Sequence, residues 1–128
     1  MASETDLIPH RRPWLLVDRV VSRAPDRVEA EKRVTAGDPF GTLAGMVLVE
    51  ALAQTAACAN AGTVGAHRGY LVAAQGFQFD GQAQPGDTVR LVAVRTGSFG
   101  ALAKFDGEAS VDGRVIARGS MTFAMEKA

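Results

Sequence analysis

An alanine-rich apolar stretch, GMVLVEALAQTAACA at residues 45–59, restricts the fold of this 128-residue chain more than any other feature. Six of the eleven residues from 51 to 61 are alanine. Small side chains let a helix lie close against a flat surface, so the stretch predicts a central helix packed on a sheet. We predict this helix over residues 43–62, about five turns, with its end near Gly62 or Gly65 because glycine commonly follows the last helical residue.

Six strands are predicted around this helix, two before it and four after it. The segments LLVDRVV and VEAEKRVT flank an APDR turn, and the second carries charges at alternate positions on a possible solvent face. Four further β-type runs follow the helix, and the Asp112-Gly113 pair between the last two is a strong hairpin signal. We predict an α+β domain in which one long central helix is wrapped by a curved antiparallel sheet of about six strands, the last four forming a meander. This arrangement is the hotdog fold.

Length and composition limit the classes of protein to consider. We predict a single domain over residues 1–128, which is large enough to fold without a metal or disulfides. Lys plus Arg and Asp plus Glu both number 14, so no charge excess points to a nucleic acid or an acidic membrane. The one cysteine, Cys58, is predicted to be a buried core residue. A polar start and the lack of a long apolar run predict no signal peptide and no membrane span, which favours a cytoplasmic location.

Residues 1–14 are predicted to form an N-terminal arm. In LIPHRRP two prolines bracket His10, and each proline restrains its neighbours to an ordered lead-in without a long helix. Asp18 is expected to pair with a nearby arginine and fix the arm. The second histidine, His67, is expected in a solvated loop or beside the helix end.

Four segments of the chain resemble one known family. LIPHRRPWLLVDRVV is similar to the opening of FabZ-type 3-hydroxyacyl-acyl-carrier-protein dehydratases, and VLVEALAQTAA is similar to the helix of that family. The resemblance continues through QPGDTVRLVAV and DGEASVDGRVIARGSMTF, so it spans nearly the whole chain in order. It implies a hotdog fold and activity on 3-hydroxyacyl thioesters.

One departure from the family lies just before the helix. The family carries a loop of the type Gly-His-Phe-Pro-Gly-x-Pro-x-x-Pro-Gly, whose histidine works with the helix glutamate of the partner subunit. Here the chain runs GDPFGTLAGMVLVE, so the loop is shortened and its histidine is absent. Glu50 matches the acidic residue of the family, and nothing matches the histidine. The shortened form resembles the divergent dehydratase relatives of aryl-polyene pathways.

Dehydration of such a thioester needs a base for the proton beside the carbonyl, an acid for the departing hydroxyl, and donors for the thioester oxygen. Glu50 is the predicted acid, because a carboxyl in an apolar wall keeps its proton more readily near neutral pH. The amides near Gly45 and Met46 at the helix start are the predicted donors to the substrate. His10 is the remaining candidate for the base, with positioning of the arm as its alternative role. Gln54, one turn after Glu50, is expected to bind Glu50 or a substrate group, or to satisfy buried polarity.

Three functions remain open from the sequence. The chain is predicted to be a dehydratase that acts by syn elimination on an acyl thioester of acyl-carrier protein or CoA, without cofactor or metal. The alternatives are a catalytically inactive subunit, which pairs with an active dehydratase or holds acyl chains, and an acyl thioesterase using Glu50. A homodimer is expected because a single wrapped sheet leaves edge strands and one side of the helix uncovered, and a heterodimer with a related dehydratase is the alternative. The pocket is predicted at the subunit boundary beside Glu50.

Overall fold

The computed structural model describes residues 15–38, 42–59 and 67–127, with side chains throughout except at residues 67–69 and 125–127. These ranges contain six strands and one long helix. In chain order the elements are β1 (Arg19–Ala24), β2 (Arg27–Arg33), α1 (Met46–Ala57), β3 (His67–Phe79), β4 (Thr88–Phe99), β5 (Leu102–Val111) and β6 (Arg114–Lys127).

All six strands form one antiparallel sheet in the order β1-β2-β4-β5-β6-β3. The helix packs on one face of this sheet, chiefly on β4 and β5, and we call that face the inner face. The predicted hotdog fold is therefore confirmed. The predicted four-strand meander is wrong in one respect, because only β4, β5 and β6 follow one another in the sheet. β3 pairs with β6 and lies at the edge.

The helix begins later than predicted. α1 covers Met46–Ala57, whereas the sequence predicted residues 43–62. Leu43 forms an antiparallel bridge with Ala83, so its backbone belongs to a strand-like contact. Gly45 has φ 53° and ψ −129°, a conformation outside the helical region that suits glycine. The backbone pairing of Leu43 and the non-helical, positive-φ conformation of Gly45 therefore delay the helix to Met46.

The helix also ends earlier than predicted. The N–H groups of Cys58 and Ala59 donate to carbonyls three residues earlier, which closes the helix in a tightened turn. Nε of Arg23 in β1 donates to the carbonyl of Cys58 at 2.7 Å, and a cation at this end complements the helix dipole. Cys58 is fully buried, as predicted.

Close approach of the helix to the sheet depends on a glycine in β5. A Cβ atom at Gly107 would lie 2.9 Å from Cε of Met121 and 3.2 Å from Cδ1 of Leu52. The missing side chain leaves room for Leu52, which is fully buried. The core then continues along alternate residues of the strands, including the buried Val28, Ala30, Leu91, Ala93, Phe105 and Ala109.

The last hairpin matches its sequence signal. Val111 pairs with Arg114, and the two residues between them, Asp112 and Gly113, have φ of 50° and 80°. Two positive φ values are those of the type I′ turn for which Asp-Gly is selected. No helix in the described ranges is long and apolar enough to cross a membrane.

Truncation of Leu52 tests the packing of α1 on the sheet. We expect Leu52→Ala to lower the free energy of unfolding by about 2–5 kcal/mol, the usual cost of emptying a buried leucine site. The matched control is Leu102→Ala, because Leu102 is 41% exposed on β5. That change should cost less than about 1 kcal/mol. Chemical denaturation measures the free energy of unfolding of both variants. Equal losses of this free energy would contradict the packing of Leu52 on the sheet.

Candidate functional site

Glu50 lies on the side of α1 that faces away from the sheet. Met46, Glu50 and Ala57 fall within about 40° of one another around the helix axis, and we call this line the outer strip of α1. Met46 is 68% exposed, Glu50 is exposed and Ala57 is half-buried. The sequence predicted an apolar wall around Glu50, but in the single chain this residue is exposed. Its neighbours Val49 and Ala51 are buried, so the core takes the other sides of the helix.

Gln54 connects Glu50 to the segment that follows the N-terminal arm. This amide is buried, with 1% exposure. Its Oε1 accepts the backbone N–H of Leu16 at 2.7 Å, which turns Nε2 toward the carboxyl of Glu50. Nε2 donates to Oε1 of Glu50 at 3.2 Å. The predicted contact between Gln54 and Glu50 is thus present, and a direct contact of Gln54 with substrate stays a prediction.

The start of α1 presents backbone N–H groups near the outer strip. The first amides with acceptors are those of Val47, which donates to Ala44, and Leu48, which donates to Gly45. For the N–H groups of Gly45 and Met46, the structure shows no acceptor among the described residues. Met46 precedes Glu50 by one helical turn, so the predicted donors and the predicted acid share one end of the helix.

Of the two histidines, only His67 belongs to the described residues. His10 lies outside the described residues, together with the rest of the arm at residues 1–14. His67, which was expected in a loop or beside the helix end, is instead the first residue of β3, where its backbone pairs with Lys127. The base of the predicted reaction therefore stays a prediction.

Two cavities lined by described residues do not adjoin Glu50. One, of about 510 Å³, is lined by outward-facing residues of β3 to β6, among them Val92, Glu108 and Arg118. Another, of about 400 Å³, lies beside the β4–β5 hairpin and is lined by Phe99, Leu102 and other residues. Both lie on the outer face of the sheet, opposite the helix. The pocket predicted at the subunit boundary beside Glu50 stays a prediction.

A buried lysine cluster, formed by Lys32, Asp18 and Asp38, lies on the inner face of the sheet. Lys32 in β2 is 2% exposed, and its Nζ lies 2.7 Å from Oδ1 of Asp38 and 3.6 Å from Oδ2 of Asp18. Among the described residues, Asp18 pairs with Lys32 and accepts the backbone N–H of Arg33. Its predicted pairing with an arginine side chain of the arm stays a prediction. The sequence signal for this cluster is the alternation of inward and outward side chains along β2, which places Lys32 on the same face as the buried Val28 and Ala30.

Asp38 is held in its charged form. Burial acts to raise the pKa of its carboxyl, but the hydrogen bond and charge of Lys32 and the bonds from Thr35 together bring the pKa below its ordinary value. Oδ2 accepts the N–H of Thr35 at 2.6 Å and its hydroxyl at 3.2 Å. The charge of Asp38 therefore stabilises the folded chain.

Comparisons with known proteins agree with this fold and helix. The chain is 38% identical over 138 residues to the 3-hydroxyacyl-acyl-carrier-protein dehydratase FabZ of Ruminiclostridium cellulolyticum, covering 96% of this chain and 94% of the relative. It is 36% identical to FabZ of Streptococcus pneumoniae, covering 94% of this chain and 93% of the relative.

Two solved structures share the fold at low sequence identity. The dehydratase heterocomplex ApeI:P from Xenorhabdus doucetiae has a TM-score of 0.82 at 16% identity, covering all of this chain and 92% of the matched chain. A hypothetical thioesterase with coenzyme A from Streptococcus pneumoniae has a TM-score of 0.70 at 12% identity, covering 85% of each chain.

The fold and the FabZ relatives together place the chain in the class of dehydratase-like hotdog proteins. Within that class, the model of the ApeP-like family, described as ApeP dehydratase, matches residues 2–127. The chain belongs to the ApeP-like dehydratase family.

Acid titration tests the contribution of Asp38. Because its pKa is lower in the folded chain, its stabilisation is fully present above the unfolded pKa of about 3.9 and is lost as the pH falls through the folded pKa. We expect the free energy of unfolding of the wild type to fall as the pH is lowered through this window. The free energy of unfolding of Asp38→Asn should be lower at neutral pH and should fall less steeply. The pKa of Glu29 is also lowered, by Arg90, but Glu29 contributes equally to both proteins. If urea denaturation shows the free energies of unfolding of the two proteins falling in parallel with pH, the stabilising role of Asp38 is contradicted.

Proposed function

We propose that this protein dehydrates 3-hydroxyacyl thioesters carried on acyl-carrier protein or CoA, with Glu50 as the general acid. One observation carries the proposal: the carboxyl of Glu50 lies on the outer strip of α1, held at one oxygen by the buried Gln54. A carboxyl held in this way keeps a defined orientation while it exchanges its proton. The FabZ relatives, whose names state this reaction, support the choice of substrate class.

The proposed reaction is a syn elimination. A base removes the proton on the carbon beside the thioester carbonyl, and the oxygen of that carbonyl gains negative charge. The N–H groups of Gly45 and Met46 stabilise this charge as hydrogen-bond donors at a helix start. The bond from the β carbon to its hydroxyl then breaks, a double bond forms between the two carbons, and Glu50 protonates the leaving hydroxyl to give water. Protonated Glu50 can accept from Gln54 on Oε1 and carry its proton on Oε2.

His10 is the proposed base. It is one of two histidines in the chain, and the loop GDPFGTLAG contains none. The segment after the arm passes next to the site, because Leu16 donates its N–H to Gln54, the residue that holds Glu50. His10 precedes Leu16 by six residues, so a short arm can bring its imidazole to the outer strip.

A second subunit is proposed to complete the pocket. β3 is a 13-residue edge strand, and its exposed residues include Tyr70, Leu71 and Val72. A long apolar edge favours pairing with another chain. We propose a homodimer paired through this edge, which would also cover the outer strip of α1 and enclose Glu50.

A catalytically inactive subunit is the second candidate. The loop before α1 lacks the histidine of the FabZ-type family. The ApeI:P structure with the same fold is a dehydratase heterocomplex. In this case the chain pairs with a related, active dehydratase and supplies one side of its substrate pocket.

Substitution of the two proposed catalytic groups tests the mechanism. Glu50→Gln and His10→Ala should each lower turnover by about 10²-fold or more with the protein still folded, since each removes a proton transfer in the transition state. The double variant should be little worse than either single one, because residues that act as a unit are not additive. Turnover and melting temperature are measured together for each variant.

Product analysis of the wild type decides between the functions. Mass spectrometry of a panel of 3-hydroxyacyl thioesters detects an enoyl thioester for a dehydratase and a free acid for a thioesterase. No turnover alone or with a coexpressed related dehydratase would overturn the enzyme proposal. Turnover that needs the partner and survives Glu50→Gln would support the inactive subunit. If His10→Ala lowers the melting temperature but leaves turnover near that of the wild type, His10 positions the arm.

An edge substitution tests the proposed dimer. Val72, on β3, is 56% exposed, and Val72→Lys should give a monomer at micromolar concentration because a lysine on an edge opposes strand pairing. The matched control is Val21→Lys on β1, the other edge strand, where Val21 is 44% exposed. This control should remain a dimer. Light scattering reports both masses, and a monomeric wild type or a dimeric Val72→Lys would contradict pairing through β3.

A further inference from the structure

The helix α1 covers the inner face of the sheet unevenly. The inward residues of β4 and β5 beneath it are buried. On β3 the inward residues pair with buried core residues of β6, yet three of them are exposed in the single chain and one is half-buried. We call these four residues the β3 row: Leu71, Ala74, Phe77 and Phe79. An apolar surface that the helix leaves open in this way is the kind of surface that binds an apolar partner.

The β3 row lies toward the side of α1 on which the helix presents Met46. The opposite side is covered by the segment before β1, because Leu16 donates its N–H to Gln54. That segment pairs with β2 through Asp18, and β2 and β3 lie toward opposite edges of the sheet. Since α1 turns by about 100° per residue, Met46 and Ala53 lie on the side that remains, toward β3. A chain that starts at the proposed donor amides thus has the β3 row beside it.

Phe77 owes its position to a β-bulge. The pairing of β3 with β6 shifts by one residue between Gln75 and Gln78, so that Gly76 and Phe77 together lie opposite Gly119. Gly76 has φ 64°, the conformation of the first residue of a glycine bulge. Bulges of this kind change the direction of a side chain, and here the ring of Phe77 lies over Gly119 on the inner face.

Two glycines make room for this ring beside the helix. A Cβ atom at Gly119 would overlap the ring of Phe77 and lie 2.8 Å from its Cα. Gly119 pairs directly with Gly107, the glycine that leaves space for Leu52 of α1. Phe77 and Leu52 therefore fill neighbouring gaps in the inner face, and the ring packs against the core. The ring of Phe77 occupies space between β3 and α1 that would otherwise be open.

We propose that Phe77 determines the length of the acyl chain that the site accepts. The β3 row is apolar throughout, so the occupant that we assign to it is the acyl chain of the thioester. The chain enters near Phe79, because Ala83, four residues later, pairs with Leu43 just before the helix. It then runs toward Leu71, and the ring of Phe77 narrows the path between them. This inference rests on the proposed dehydratase function.

The affinity for acyl chains of increasing length should report this narrowing. Each methylene that leaves water for an apolar surface strengthens binding by about fourfold. Methylenes that cannot pass the ring of Phe77 add nothing, so the affinity should level off at a limiting chain length. In Phe77→Ala the space above the paired Gly119 and Gly107 is open, and the limit should move to longer chains.

Calorimetry with unreactive substrate analogues tests the proposal. The probes are 2-oxoalkyl thioethers of increasing chain length on CoA and on acyl-carrier protein, which keep the carbonyl but can be neither dehydrated nor hydrolysed. The wild type should gain affinity by about fourfold per methylene up to a limiting length. Phe77→Ala should continue to gain affinity beyond that length. Phe77→Leu is the milder variant, with an intermediate limit, and it keeps the test decisive if Phe77→Ala does not fold.

The matched control is Val28→Ala, a cavity variant on the inner face of β2, away from β3. It should lower the melting temperature and keep the limiting length of the wild type, because it only weakens packing. An unchanged limit in both Phe77 variants, or an equal shift of the limit in Val28→Ala, would overturn the proposal. Wild-type affinity that does not depend on chain length would also overturn it, since the β3 row would then bind no acyl chain.

Turnover separates this inference from the proposed function. With 3-hydroxyacyl thioesters, Phe77→Ala should raise the ratio of kcat/KM for a chain beyond the wild-type limit to that for a shorter chain by about 10-fold or more. If the wild type binds the analogues up to a limit but turns over no 3-hydroxyacyl thioester, the dehydratase function fails and the role of Phe77 stands. If the wild type is active and Phe77→Ala leaves both the limit and this ratio unchanged, only the role of Phe77 fails.

Discussion

The close packing of α1 on the sheet is the constraint on which the rest of the structure depends. Leu48 and Leu52 are fully buried beneath the helix, and Gly107 in β5 leaves the space that Leu52 occupies. Since most other residues of the helix that face the core are small, the helix lies close to the strands. Its opposite side is left outside the core of the single chain. The exposure of Glu50 is therefore a consequence of how the apolar side of α1 is buried.

Two buried polar side chains hold the segment that follows the N-terminal arm. Gln54 holds Glu50 and Leu16, and Lys32 holds Asp18 and Asp38. In an apolar interior, polar and charged groups persist when they are hydrogen-bonded or paired, so each contact has a restricted geometry. Gln54 joins residues 38 positions apart in the chain, whereas Lys32 joins Asp18 to Asp38, which lies six residues after the lysine. The site thus depends on a few interior bonds as much as on the residues proposed to meet substrate.

Much of the fold could be predicted because its signals are local. The Asp112-Gly113 turn, the β-type runs and the single apolar helix each depend on neighbouring residues, and all are present. The helix bounds were predicted less well, since the bridge between Leu43 and Ala83 joins residues forty positions apart. The place of β3 beside β6, away from β4, also depends on pairing between distant segments. The composition of the loops and turns does not indicate that β3 pairs with β6.

By itself the sequence determined which chemical groups are present: a carboxyl and an amide one helical turn apart, glycine at the helix start, and motifs of a dehydratase family. Those properties follow from residue identity and the period of the helix. Only the tertiary structure decided that Glu50 lies on the exposed side, that Gln54 reaches the backbone of Leu16, and that Lys32 lies inside the core between two carboxylates. The physical reason is that burial and pairing are settled by contacts between segments far apart in the chain, and each such contact depends on the packing of all the others.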